Sequence, residues 1–210
     1  MRPTATGWLA ILSIALTPII INSNISAKAN ETTSLETAKS KLEEGDYDEA
    51  QKIYEELIQQ GISTSEVYYG LGRSSQELGD NEKSLESYTK LIEIDPKNAI
   101  AYSNRGLVYG RLRKIKLALK DFNTAISLDP NFEFAYVNRG VTRGALQDWK
   151  GAIQDFDKAI GIDPSYSSAW RNRGIVKETI GDLRGACTDW RTAAVLGQKE
   201  AQEWINTQCK

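Results

Sequence analysis

The chain has 210 residues, of which 40% are hydrophobic and 26% charged, with 26 basic against 28 acidic side chains. That is the composition of a soluble domain of ordinary size, and the near-balanced, slightly acidic charge argues against non-specific nucleic-acid binding. Histidine is absent, which removes the commonest general base and the commonest metal ligand.

Residues 1–29 read as a targeting segment. Arg2 supplies a short positive start, and Trp8 to Ile21 is a mostly apolar run of 14 residues broken by Ser13, Thr17 and Pro18. Ala27-Lys28-Ala29 has the small-x-small pattern of a cleavage site, with Asn30 as the first mature residue. No twin arginines precede the run, so the general secretory route is expected. The destination is then the periplasm, a thylakoid lumen or the extracellular space. The alternative is a chain anchored to a membrane by an uncleaved N-terminal helix, although a span normally needs about 20 apolar residues. Removing residues 1–29 leaves 24 basic and 28 acidic side chains, a net charge of −4.

From Glu31 the chain divides into five blocks of equal length, 31–64, 65–98, 99–132, 133–166 and 167–200. Ala101-Tyr102-Ser103-Asn104-Arg105-Gly106 returns 34 residues later as Ala135-Tyr136-Val137-Asn138-Arg139-Gly140 and again as Ala169-Trp170-Arg171-Asn172-Arg173-Gly174. Position 8 holds Ala38, Gly72, Gly106, Gly140 and Gly174; position 20 holds Ala50, Ser84, Ala118, Ala152 and Ala186. Position 24 is always aromatic: Tyr54, Tyr88, Phe122, Phe156 and Trp190. Pro96, Pro130 and Pro164 occupy position 32 of the middle blocks. A fixed period of this size means stacked supersecondary units. Each block carries two amphipathic segments of helical periodicity around a short turn, marked by Gly45-Asp46, Gly79-Asp80 and Gly181-Asp182. Small residues at positions 8 and 20 let two antiparallel helices approach, and the aromatic at 24 fills the space beside them. Asp-Pro ends the second helix, because a residue before proline is driven out of the α region. Each pair can bury its apolar face only against a neighbour.

The pattern resembles the tetratricopeptide repeat family over residues 31–200. The resemblance implies an all-α, right-handed superhelical solenoid of five helix-turn-helix repeats. Residues 201–210 are expected to form a capping helix, with Trp204 covering the last pair. Departures fall at the ends, where Ser34 replaces an aromatic and Ile62 and Gln198 replace proline.

In the family, position 6 of the first helix faces the concave groove, and here it holds Asn104, Asn138 and Asn172. Asparagine offers both a donor and an acceptor, so three in register would form a ladder for an extended peptide backbone. The alternative is that each amide bonds its own scaffold. The groove positions around the ladder hold Ile100, Leu107, Phe134, Val137, Val141 and Ile175, with Tyr69 earlier and Arg73 and Arg171 at the two ends. Such a floor suits a peptide with some hydrophobic side chains, unless part of it packs between helices. The carboxylate clamp that other members use for chaperone C-termini is missing. Its positions hold Tyr69, Arg73, Asn104, Phe134 and Asn138, and only Asn104 matches.

Arg105, Arg139 and Arg173 at position 7 appear in the same three blocks as Asp121, Asp155 and Asp189 at position 23. Blocks one and two lack both, with Thr37 and Ile53, then Leu71 and Ser87. This joint presence points to structural ion pairs, within a repeat or across the next interface, that fix register more than they stabilise, the alternative being arginines that reach an acidic ligand. Cys187 and Cys209 would form a disulfide in an oxidising compartment, pinning the cap. Arg111, Arg113, Lys114, Lys116 and Lys120 make the turn of block three basic, which could meet lipid head groups or an acidic partner, or be a solvated turn.

No catalytic grouping, metal site or cofactor site emerges. The expected function is a non-catalytic, exported scaffold that binds a peptide or helix of a partner protein, with an assembly or chaperone-like role for envelope or membrane complexes. A self-assembling repeat protein is the alternative. Membrane association is confined to two routes, an uncleaved N-terminal segment or the basic turn.

Overall fold

The computed structural model describes residues 32–209; the targeting segment read at 1–29 lies outside them. Among the described residues the chain is all helix and turn, with eleven helices. They are α1 (32–44), α2 (Tyr47–Gln59), α3 (Ser65–Leu78), α4 (Asn81–Ile94), α5 (Ala99–Arg111) and α6 (Ile115–Leu128). Then come α7 (Glu133–Ala145), α8 (Trp149–Ile162), α9 (Ser167–Thr179), α10 (Leu183–Val195) and α11 (Lys199–Gln208). Consecutive helices pack as antiparallel pairs, and the pairs stack into a right-handed solenoid. All the turns inside pairs therefore share one edge of the solenoid, and all the turns between pairs share the other. The cap expected over 201–210 belongs to α11, which starts two residues earlier.

The repeated small and aromatic columns make the contact inside each pair. Phe122, Phe156 and Trp190 are fully buried and lie against Gly106, Gly140 and Gly174 of the same pair. A Cβ on Gly140 would stand 2.7 Å from Phe156, and one on Gly174 2.5 Å from Trp190, closer than real carbon contacts allow. Only glycine permits that helix spacing, so the column is a packing requirement. Tyr54 is the exception. It packs over Gly70 of the next repeat, while Ala38 and Ala50 close the first pair. Burial pushes the Tyr54 hydroxyl up to about 12 and raises that of Tyr88 as well.

The turns differ in chemistry along the stack. Gly45, Gly79 and Gly181 take positive φ at position 15, and Arg113 (φ 58°) and Gln147 (φ 63°) adopt the same left-handed conformation without being glycine. Asp80, Asp148 and Asp182 then cap the second helix by accepting from the amides of Lys83, Gly151 and Gly185. In the third repeat Lys114 stands at that place and makes no cap hydrogen bond. Asp95, Asp129 and Asp163, each before a proline, end the second helices of the middle repeats. In the outer repeats Gly61 (φ 86°) and Gly197 (φ 96°) end them instead. The missing prolines are thus replaced by left-handed glycine stops, with Ile62 donating to the carbonyl of Leu57 and Gln198 to that of Ala193.

At the C-terminus α11 covers α10. Trp190 and Trp204 pack with tilted rings, centroids 5.3 Å apart, beside Ala193 and Ala201. A disulfide joins Cys187 to Cys209 across a Cα separation of 5.6 Å.

Candidate functional site

The first helices of the pairs, α3, α5, α7 and α9, carry the candidate groove residues. Asn104, Asn138 and Asn172 occupy equivalent places on α5, α7 and α9, and all three are half-buried. Their hydrogen bonding differs. The Asn138 amide donates to the carbonyl of Phe134 at 2.8 Å, one turn back, so its donor is used by its own helix. Its Oδ1 accepts nothing within the described residues. Asn172 Oδ1 accepts only a long 3.4 Å contact from Arg171. Asn104 has no side-chain partner among the described residues.

Ile100 and Val141 are both 48% exposed, Leu107 and Phe134 are half-buried, and Arg73 is exposed. Arg171 is half-buried, and its Nε is shielded from solvent with no acceptor. Val137, read from the sequence as part of the floor, is buried in the core at 5% exposure beside Phe156 and Ala159. Position 5 turns inward here, as Ser103 does one repeat earlier at 0% exposure.

The arginine column is the best-defined polar system in the molecule. Arg105 grips Asp121 through Nε at 2.7 Å and through a terminal nitrogen at 3.0 Å. Arg139 grips Asp155 at 2.9 and 2.6 Å, and Arg173 grips Asp189 at 2.9 and 2.7 Å. Each fork is bidentate, the geometry that guanidinium and carboxylate favour. The remaining nitrogen reaches the preceding repeat: Arg105 to Thr89, Arg139 to Asn123 and Arg173 to Asp157. One side chain therefore closes its own pair and clasps the neighbour. Tyr102, Tyr136 and Trp170, three residues earlier, lie under the guanidinium groups at 5.6, 5.4 and 4.8 Å. Burial disfavours the charge of Arg105, yet Asp121 and the facing rings hold its pKa above the ordinary value. For Arg173 the Asp189 contact is the leading cause of the same rise.

Two partners escape the sequence reading. Arg143 adds a second cation to Asp155 at 2.9 Å, and Lys177 does so for Asp189 at 2.9 Å. Both occupy position 11, where block three has Tyr109 and block two has Ser75, so the column is not uniform in type. The first two repeats are joined differently, by two surface ion pairs at 2.6 Å, Lys39 with Glu66 and Lys83 with Glu55, the second about one-third exposed. The second contact lowers the Glu55 pKa and raises that of Lys83.

Family models of tetratricopeptide repeats match residues 33–60, 99–132 and 135–166, and a further TPR repeat model matches 74–112. The chain is a tetratricopeptide-repeat protein. No curated protein matches the sequence. Among solved structures, the thermophilic tetratricopeptide-repeat protein TTC0263 of Thermus thermophilus superposes with a TM-score of 0.72 at 18% identity, over 85% of this chain and 98% of its own. MamA from Desulfovibrio magneticus RS-1 superposes with a TM-score of 0.69 at 19% identity, over 81% of this chain and 96% of its own. The first TPR of Spaghetti (RPAP3), bound to the HSP90 peptide SRMEEVD, is 28% identical over 55% of this chain and 92% of its own, with a TM-score of 0.53. The first two likenesses are of fold. The family models and the peptide-bound structure place this tetratricopeptide-repeat chain among interaction scaffolds.

Proposed function

We propose that this tetratricopeptide-repeat protein holds an extended segment of a partner protein in its concave groove, with the asparagine column as the backbone grip. The observation that supports this reading is the unspent hydrogen-bonding capacity of Asn104 and of Asn138 Oδ1 beside the exposed Ile100 and Val141. A half-buried amide without a protein partner is costly unless water or a ligand meets it. Leu107 and Phe134 would accept apolar side chains of the ligand, and Arg73 and Arg171 would set its ends. An HSP90-type C-terminus is not the ligand, because the clamp positions hold Tyr69, Phe134 and Asn138. Export rests on the sequence of residues 1–29, and it would place the partner in an envelope, lumenal or extracellular setting.

The test is capture from a native membrane extract with the full chain and with an Asn104→Ala, Asn138→Ala, Asn172→Ala variant of matching helicity. A protein retained by the first bait and lost from the second supports the groove. A protein retained by both moves the contact elsewhere. Growth of the particle with concentration in light scattering, without any captured partner, would favour self-assembly.

A further inference from the structure

Charge is unevenly spread along the stack. Residues 31–98 carry 16 acidic and 7 basic side chains, whereas residues 99–200 carry 11 acidic and 16 basic ones. In the first two repeats Lys39, Lys41, Lys52, Lys83 and Lys90 all pair with carboxylates. In the last three, five basic side chains at the edge formed by the turns inside pairs have no ion-pair or hydrogen-bond partner among the described residues. These are Arg113, Lys114, Lys116, Lys150 and Arg184, all exposed.

Three of them share one register. Lys116, Lys150 and Arg184 are each the second residue of their helix, α6, α8 and α10. The solenoid therefore lines them up in a row along the turn edge, where the first two repeats place Asp48 and Glu82. Exposed apolar side chains lie in the same turns. Leu117, Leu146, Ile180 and Leu183 are 43–53% exposed, and Trp149, Ile153 and Ile180 line a hollow of about 650 Å³ beside Lys150. Of the acids on this stretch of edge, Asp148 and Asp182 are occupied as helix caps, and Glu178 at the end of α9 is half-buried.

We infer that this edge binds an anionic lipid surface. Cations alone would serve any acidic partner, but a row of cations interleaved with exposed aliphatic side chains matches a bilayer boundary. The ammonium and guanidinium groups would meet head-group phosphates, and the leucines and Ile180 would sink among them. The acidic first two repeats would be repelled from the same surface, which orients the solenoid with its C-terminal repeats on the membrane. This contact does not involve the groove and would leave it open to a partner.

The experiment is co-sedimentation of the full chain with vesicles of phosphatidylcholine alone and of phosphatidylcholine mixed with phosphatidylglycerol. The comparison protein carries Lys116→Ala, Lys150→Ala and Arg184→Ala, exposed helical sites where alanine costs no packing, and the same residues 1–29. Each cation near an anionic bilayer is worth about fivefold in partitioning, so the triple variant is expected to bind the mixed vesicles about a hundredfold less tightly. Added salt should weaken the wild type in the same direction. Equal binding of both proteins to the mixed vesicles would overturn the proposal and assign any membrane contact to other residues. A second variant, Leu117→Ser, Ile180→Ser, Leu183→Ser, separates lipid from acidic macromolecule. If it binds the vesicles as tightly as the wild type, and the wild type binds polyglutamate equally well, the edge recognises acidic polymer and the lipid reading fails.

Discussion

The first two repeats and the last three have nearly the same helix lengths and draw on the same small-residue and aromatic columns, yet they are fastened differently. Repeats three to five share a buried clasp in which one arginine holds a carboxylate of its own pair and an oxygen of the preceding repeat. Repeats one and two have Thr37 with Ile53 and Leu71 with Ser87 at those places. Their cross-repeat ion pairs, Lys83 with Glu55 and Lys39 with Glu66, lie at the surface. The lesson is that backbone spacing comes from the small and aromatic columns, which all repeats share. The polar clasp is an addition, and it makes the C-terminal repeats depend on complete pairing. A buried pair adds little over apolar packing, but removing one partner strands the other in a dry place.

The largest test of that difference is Asp155→Ala. Asp155 is 3% exposed at its side chain and serves both Arg139 and Arg143, so its loss leaves two cations facing an empty site. The expected cost is about 3–5 kcal/mol, read as a lowered midpoint in urea unfolding. The matching change in the other region, Lys83→Ala, should cost under about 1 kcal/mol, since both partners are one-third exposed. Similar losses from the two variants would remove the distinction between the regions.

Sequence and structure agree most where a column repeats one residue type. The glycine, alanine and aromatic columns are legible because identical packing recurs every 34 residues, and the period alone reveals the solenoid. The Arg–Asp columns are legible because both members appear or vanish together. The third arginine contact is not, since Thr89, Asn123 and Asp157 share only an oxygen acceptor, not a residue type. Arg143 and Lys177 stay hidden for a similar reason. Val137 misleads because position 5 mixes Tyr69, Ser103, Val137 and Arg171, so composition does not show which way it faces. The row of Lys116, Lys150 and Arg184 becomes visible only once the turns are known to share an edge.

The second test concerns the last pair alone. Cys187→Ser with Cys209→Ser, or reduction of the disulfide, should release α11, whose remaining hold is the contact of Trp204, Ile205 and Ala201 with Trp190 and Ala193. Closing a loop with a sequence separation of 22 contributes about 3 kcal/mol in the chain-entropy model. Amide exchange should speed up in α11 and at the end of α10 while α1 to α4 keep their protection. Unchanged exchange in α11 would mean that the tryptophan contact holds the cap unaided.

The smallest effect sharpens the comparison at the turns, where repeats one and two use glycine and repeat three uses arginine. Arg113 sits at φ 58°, a conformation that crowds the Cβ of an L-residue against its own carbonyl. Its neighbour Lys114 occupies the place where repeats two, four and five put a capping aspartate, next to the positive end of α6. Arg113→Gly should therefore raise stability by up to about 1 kcal/mol, the strain relief being partly offset by the freedom glycine gains in the unfolded chain. Gly79→Ala, which imposes the same conformation on a side chain in the second repeat, should lower it by a similar amount. Thermal unfolding of the two variants would show shifts of opposite sign and a few degrees each. If Arg113→Gly instead destabilises the chain, the arginine makes a contact that outweighs its strain. If it stabilises, a residue tolerated at that cost on an exposed turn, among unpaired cations, is better explained by what the edge binds than by the fold it closes.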